Sequence, residues 1–162
     1  MAITHRITPC LWFDGEGEEA ARFYVSIFPN SRITAITRFS DAGHEVHGRP
    51  AGSVMVTAFE LDGQPFTALN GGPLFRFTEA ISLQVNCETQ EEIDYYWEKL
   101  SAGGDPKAQQ CGWLKDRYGL SWQVVPTIVA ELMKDAESPR AKRAMAAVLG
   151  MKKIDIAALQ RA

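Results

Sequence analysis

Residues 11–28, LWFDGEGEEAARFYVSIF, and residues 83–100, LQVNCETQEEIDYYWEKL, carry one pattern twice. Laid over each other without a gap at an offset of 72, Leu11 meets Leu83, Asp14 meets Asn86, and Glu16 and Glu19 meet Glu88 and Glu91. Phe23-Tyr24 then falls on Tyr95-Tyr96. Each copy is an apolar strand, a polar break, an acidic helix start and an aromatic pair. That order points to a duplicated structural module.

Working outward from the first copy, residues 7–13 alternate and end at the turn signal Asp14-Gly15, as a strand does. Ala20, Ala21, Tyr24, Ile27 and Phe28 recur at helical spacing, and Glu16, Glu18 and Glu19 sit where a helix dipole favours negative charge. Pro29 ends that helix, because the residue before a proline is steered out of the α region. Ile33–Phe39 reads as a strand and residues 40–52 as a long polar loop. SVMVTAFEL and QPFTALN, joined by Asp62-Gly63, form a hairpin signal. The first half is therefore β-α-β-β-β.

The second copy repeats the order. ISLQVNC is a strand, Thr89 caps a helix to about Leu100, and AGGDP breaks it. A weak strand is expected near Lys107–Gln110, and CGWLK and LSWQVV flank a turn at DRYG. Beyond Pro126 the pattern turns helical. Ser138-Pro139 is a helix start, Gly150 its end, and Asp155 opens a last short helix. The expected fold is α+β: two tandem βαβββ modules, about 5–72 and 78–127, in one domain spanning 1–135. Residues 136–162 follow as a C-terminal helical extension.

The totals set the class. A chain of 162 residues with 46% apolar and 23% charged residues has the composition of a globular protein. A net charge of −3 lacks the basic excess of a nucleic-acid binder. No apolar run reaches membrane-spanning length, and MAITHRITP has no apolar signal core. Three cysteines, Cys10, Cys87 and Cys111, at unpatterned spacings fit reduced thiols. A cytoplasmic protein with no nucleic-acid or membrane partner is expected.

The tandem modules resemble the vicinal oxygen chelate superfamily, which includes glyoxalase I, extradiol dioxygenases and bleomycin-resistance proteins. The sequence is similar above all to its PhnB-like branch, whose members often carry the label 3-demethylubiquinone-9 3-methyltransferase. The stretches that carry the likeness are ITPCLWFDGEGEEAARFYVSIFPNS, LDGQPFTALNGGP, ISLQVNCETQEEIDYYWEKLS, CGWLKDRYGLSWQVVP and RAMAAVLGMKKIDIAAL. The resemblance implies a curved mixed sheet around a cavity, with helices outside.

The label implies methyl transfer, which in the common enzymes needs an alternating β/α sheet with a glycine-rich turn opening a helix. Gly71-Gly72 follows a hairpin strand and precedes PLFRF, which is no helix start. A true methyltransferase is therefore not expected, nor is a cofactor. Superfamily enzymes hold a divalent metal on the cavity face, with ligands from the first and fourth strands of each module. With Leu11 and Phe13 facing the helix, Thr8, Cys10 and Trp12 face the cavity, and the repeat carries these to Ala80, Ser82 and Gln84. The ligand slots map to Thr8, Thr67, Ala80 and Gln123. None is a histidine or carboxylate, so no tightly held metal is expected.

Cys10, Trp12, Gln84, Trp113 and Gln123 make up the candidate ligand-binding set, aromatic and amide groups suited to a small organic molecule. Cys111 is the candidate nucleophile, because strand alternation puts it beside Trp113 and Lys115, whose ammonium favours a thiolate. Its competing reading is a small apolar strand residue. His44 and His47 chelate only if their loop is helical. The expected function is small-ligand binding without chemistry. The alternatives are a metal-dependent glyoxalase- or dioxygenase-type enzyme and a metal-free enzyme using Cys111. A homodimer is expected, with Met145, Val148, Leu149, Ile154 and Ile156 of the tail as its contact.

Overall fold

The computed structural model describes residues 3–162, which divide into two compact units between Arg76 and Phe77. In the first unit β1 (Cys10–Phe13), α1 (Gly17–Ile27), β2 (Arg32–Arg38), α2 (His44–His47), β3 (Val54–Leu61) and β4 (Gln64–Asn70) follow in order. The sheet order is β1-β4-β3-β2. β1 runs parallel to β4, and the other pairs are antiparallel. The β3–β4 hairpin closes through Asp62 and Gly63, both at positive φ (48° and 78°), the backbone a two-residue primed turn demands.

Alternation decides what this sheet buries. Leu11 and Phe13 of β1, Phe59 and Leu61 of β3, and Phe66 and Ala68 of β4 are buried, as are Ala20, Ala21, Tyr24 and Ile27 of α1. The Tyr24 and Phe59 rings stack with centroids 6.4 Å apart, and Phe59 stacks on Phe66 at 5.5 Å. A polar cross-tie holds the helix start. Asn70 accepts from the Gly17 amide at 2.8 Å and donates to the Val54 carbonyl at 3.1 Å. A Cβ on Gly17 would lie 2.7 Å from the Asn70 oxygen, so only glycine lets helix and strand approach this closely.

The second unit contains β5 (Ser82–Cys87), α3 (Gln90–Ser101), a 3₁₀ turn (Pro106–Ala108), β6 (Trp113–Lys115) and β7 (Ser121–Pro126). α4 (Ile128–Leu132), α5 (Pro139–Leu149) and α6 (Ile156–Arg161) complete it. The sheet order is β5-β7-β6, β5 parallel and β6 antiparallel to β7. Thr89 and Glu92 form a reciprocal capping box at the start of α3, satisfying two of the amides a helix N-terminus leaves open. The repeat survives as a strand and helix in each unit: Cys10–Phe13 shifted by 72 lies inside β5, and α1 shifted likewise overlies α3.

Two local expectations give way. The strand expected near Lys107–Gln110 is a 3₁₀ turn, because Pro106 lacks an amide hydrogen for a ladder and the Asp105 carboxylate accepts from the Lys107 amide at 2.9 Å. Only an isolated bridge, Gln110 to Trp113, remains there. The polar loop after β2 contains a one-turn helix, His44–His47, bracketed by Gly43 and Gly48 in left-handed conformation.

The tail is built into its unit. Cys111 and Gly112 amides donate to the Met151 and Lys152 carbonyls, both at 2.8 Å. The Gln90 side chain donates to the Ile154 carbonyl and accepts from the Ile156 amide, at 3.1 and 2.9 Å. Ala141, Ala144, Ile154 and Leu159 are buried with Val85, Ile93, Leu114, Trp122 and Val124. Ile154 is therefore a core residue rather than a surface one, while Met145 and Leu149 stay exposed. They line a groove of about 430 Å³ with Met133, Ala136, Ala141, Lys142 and Ala146.

Candidate functional site

The second sheet has a buried side and a polar side. In β5 the buried residues are Val85 and Cys87, and Ser82, Gln84 and Asn86 point the other way. In β7, Trp122 and Val124 are buried against Gln123 on the opposite side, and in β6 Leu114 is buried between Trp113 and Lys115. The register then sets these polar residues abreast. Gln84 pairs with Gln123, and Gln123 pairs with Trp113, so amide, amide and indole form one row across three strands. Two residues along, Ser82 pairs with Ser121 and Ser121 with Lys115. Cross-strand partners present their side chains on one face, and the two rows together make a donor- and acceptor-rich surface beside an aromatic plane.

Hydrogen bonds tie these rows. Gln123 donates to the Ser82 hydroxyl at 2.9 Å, and Gln84 donates to the Asn86 side-chain oxygen at 2.8 Å. The Lys115 ammonium meets the Glu79 carboxylate at 2.5 Å. Its hydrogen bond is the main force holding Glu79 below the usual carboxylate range, helped by the residue's own backbone and the ammonium's charge. The Ser121 hydroxyl is buried and has no hydrogen-bond partner among the described residues.

Trp12 and Cys10 lie on the open side of the first sheet, away from α1, as alternation implies. Cys10 is exposed and sits abreast of Thr67. Trp12 is held from above by its own unit. Its indole donates to the Gly72 carbonyl at 2.8 Å, and Phe75 meets it edge-on with centroids 4.8 Å apart. A Cβ on Gly71 would lie 2.3 Å from the Trp12 ring. The glycine pair after β4 thus has a packing duty: it lets the strap cross the indole at contact distance.

Cys111 does not share a strand with Trp113 and Lys115. It occupies the turn before β6 at φ +54°, where its amide is committed to Met151 and its thiol rests 3.7 Å from the Leu149 carbonyl. The alternation argument fails here because the chain reverses at Cys111-Gly112, and period-two reasoning holds only within a strand. Cys87 is fully buried; burial, with the nearby Glu92 charge, pushes its thiol up to about 11, so it is a packing residue.

The donor set does not suit the divalent ion the fold family would hold. Thr8 and Ala80 are exposed and precede β1 and β5, and Gln123, whose side-chain NH2 donates to Ser82, has a neutral amide oxygen as its one ligand atom. His44 and His47 do share a helical turn, with ring centroids 5.8 Å apart. The two His47 nitrogens, however, face the Ala42 carbonyl at 3.2 Å and the Arg49 amide at 2.9 Å, and imidazole needs a free nitrogen to ligate. Among the described residues no three of His, Cys, Asp or Glu converge as a metal cluster. No helix of the described residues is long and apolar enough to cross a membrane.

Sequence reasoning put Gln84, Trp113 and Gln123 in its candidate set without making them neighbours, and it did not single out Glu79, Ser121 or Phe75. Ser121 was within reach, since it stands two residues before Gln123 on the same side of the strand. Glu79 and Phe75 act through long-range contacts with no local signal.

The 3-demethylubiquinone-9 3-methyltransferase family model matches residues 5–125. A solved PhnB protein from Bacillus cereus, also described as a 3-demethylubiquinone-9 3-methyltransferase, is 38% identical. The match covers 76% of this chain and 100% of that one, with a TM-score of 0.64. A Pseudomonas aeruginosa protein, 20% identical over 76% of this chain and 98% of its own, has the same fold at a TM-score of 0.57. So does a fosfomycin resistance protein from Listeria monocytogenes solved with Mn(II) and sulfate, 17% identical over 82% and 98%, at 0.54. No curated protein matches the chain. The chain belongs to the 3-demethylubiquinone-9 3-methyltransferase family, in the PhnB-like branch of the vicinal oxygen chelate superfamily.

Proposed function

We propose that the protein binds a small organic molecule on the open face of its second sheet, without a tightly held metal and without methyl transfer. One observation carries the reading: Gln84, Gln123 and Trp113 stand in a single cross-strand row. Two amides offer donors and acceptors to a polar edge, and the indole offers a plane for an unsaturated or apolar one. The poor donor set at the ligand slots supports a site that works without a divalent ion. Against the methyltransferase label stands the use of Gly71 and Gly72 to seat Trp12, together with a sheet order unlike that of a doubly wound nucleotide fold. A nucleophilic role for Cys111 has less support, because its thiol abuts a backbone carbonyl rather than a base.

We infer a homodimer as well, with Met145 and Leu149 of α5 as the exposed apolar contact. Sedimentation of Met145→Lys against the parent tests it, a shift to monomer being expected. For the main proposal, the protein is purified without added ions. Metal is then measured by elemental analysis and S-adenosylmethionine is titrated calorimetrically. Substoichiometric metal and no micromolar heat are expected. Stoichiometric metal, or micromolar cofactor binding with turnover of a demethylated quinone, would overturn it.

A further inference from the structure

We propose that the ligand of this face carries an oxyanion, a carboxylate or a phosphoryl group, and that the row Ser82–Ser121–Lys115 receives it in place of Glu79. The inference deepens the ligand-binding reading above and rests on it. Its basis is the donor balance of this row. Lys115 brings an ammonium, which only donates. Ser121 is 1% exposed, and its hydroxyl has no partner among the described residues. Ser82 already accepts from Gln123, which leaves its own hydrogen to give.

Three donors thus stand abreast, and the acceptor they meet at the ammonium comes from a residue outside the sheet. Glu79 precedes β5, and its side chain is 64% exposed while that of Lys115 is only 26% exposed. A solvent-exposed carboxylate contributes little as an ion pair and exchanges readily. The Lys115 hydrogen bond, ahead of the residue's own backbone and the ammonium's charge, holds the Glu79 carboxyl below its usual range, and the same ammonium attracts any oxyanion that replaces it. An oxyanion offers several acceptor lone pairs and no donor, the complement of an ammonium flanked by hydroxyls. It also gives the buried Ser121 hydroxyl the partner that such groups are almost always found with. With this group anchored, the rest of the ligand lies one step along the strands, against Gln84, Gln123 and Trp113.

The test uses the full chain and inorganic phosphate, then acetate, titrated at constant ionic strength and followed by heteronuclear NMR. Saturable shifts are expected at the Ser82, Ser121 and Lys115 amides in the parent. Removing the competing carboxylate in Glu79→Gln should tighten the response roughly tenfold, because a charged acceptor no longer occupies the ammonium. Lys115→Met should abolish it, and Ser121→Ala, in a small and conservative change, should weaken it. The order of phosphate and acetate affinity identifies the group. No saturable response in either parent or Glu79→Gln, or an undiminished one in Lys115→Met, would overturn the proposal. Uncharged aromatic amides are titrated in parallel. If they perturb Trp113 and Gln123 while neither anion binds, the oxyanion inference alone falls. If the anions bind and no organic fragment does, the organic-ligand reading falls and the oxyanion site stands.

Discussion

The two sheets bury much the same things and display very different ones. On the buried side of β1 lie Leu11 and Phe13, and on that of β5 the half-buried Leu83 with the buried Val85, each under a helix that opens with two acidic residues. On the display side, Trp12 is roofed by Phe75 and tied to Gly72, whereas Gln84 is exposed beside Gln123 and Trp113. The two units share what holds a strand to a helix, where one face must be apolar for the module to form. The display sides differ: one unit uses its aromatic for local packing and the other presents a polar surface.

If the buried sides are equivalent, deleting the central side chain of either should cost about the same. Phe59→Ala in the first unit should lower stability by about 4 kcal/mol and Ile93→Ala in the second by about 3 kcal/mol, as fully buried truncations do. Denaturant midpoints measure both, and a near-neutral result in either unit would break the equivalence. On the display side the units should part. Gly71→Ala forces a methyl into the Trp12 indole and should cost about 2 kcal/mol by overpacking. Gln84→Ala, a truncation on the exposed face of β5, should stay within about 0.5 kcal/mol of the parent.

Thiol chemistry sharpens the same contrast. Cys87 lies on the buried side and has its pKa raised from 9.0 to about 11. A raised folded-state value means the neutral thiol is favoured by folding. That contribution is whole below about pH 9 and is lost as pH rises through about 11. An alkaline loss of stability that vanishes in Cys87→Ala is therefore expected in thermal scans. A thiol reagent at neutral pH should label exposed Cys10 first and reach Cys87 only on unfolding.

Much of this was legible in sequence. Alternation assigned Leu11, Phe13, Val85, Trp122 and Val124 to the packed side, and Asp62-Gly63 placed the hairpin, because strand parity and turn backbone are local properties. The row Gln84–Gln123–Trp113 was visible only as three separate residues, since parity gives a face but not a register between strands. The lost strand near Lys107–Gln110 was a contest between weak alternation and Pro106, which the proline won. Cys111 was misplaced because a turn interrupts the strand that its parity assumed. The Phe75 roof over Trp12 and the Glu79–Lys115 pair depend on chain paths that no local pattern encodes.

The claim that the second display face is the binding surface is tested most directly by heteronuclear NMR of the isotopically labelled full chain. The spectra follow the Gln84 and Gln123 side-chain amides and the indoles of Trp12 and Trp113 while small aromatic amides and carboxylates are added. The account predicts that bound molecules perturb Gln84, Gln123 and Trp113 together and leave the Trp12 indole, committed to Gly72, unmoved. Perturbations centred on Trp12, or on Met145 and Leu149 of the α5 groove, with the three-residue row silent, would contradict it.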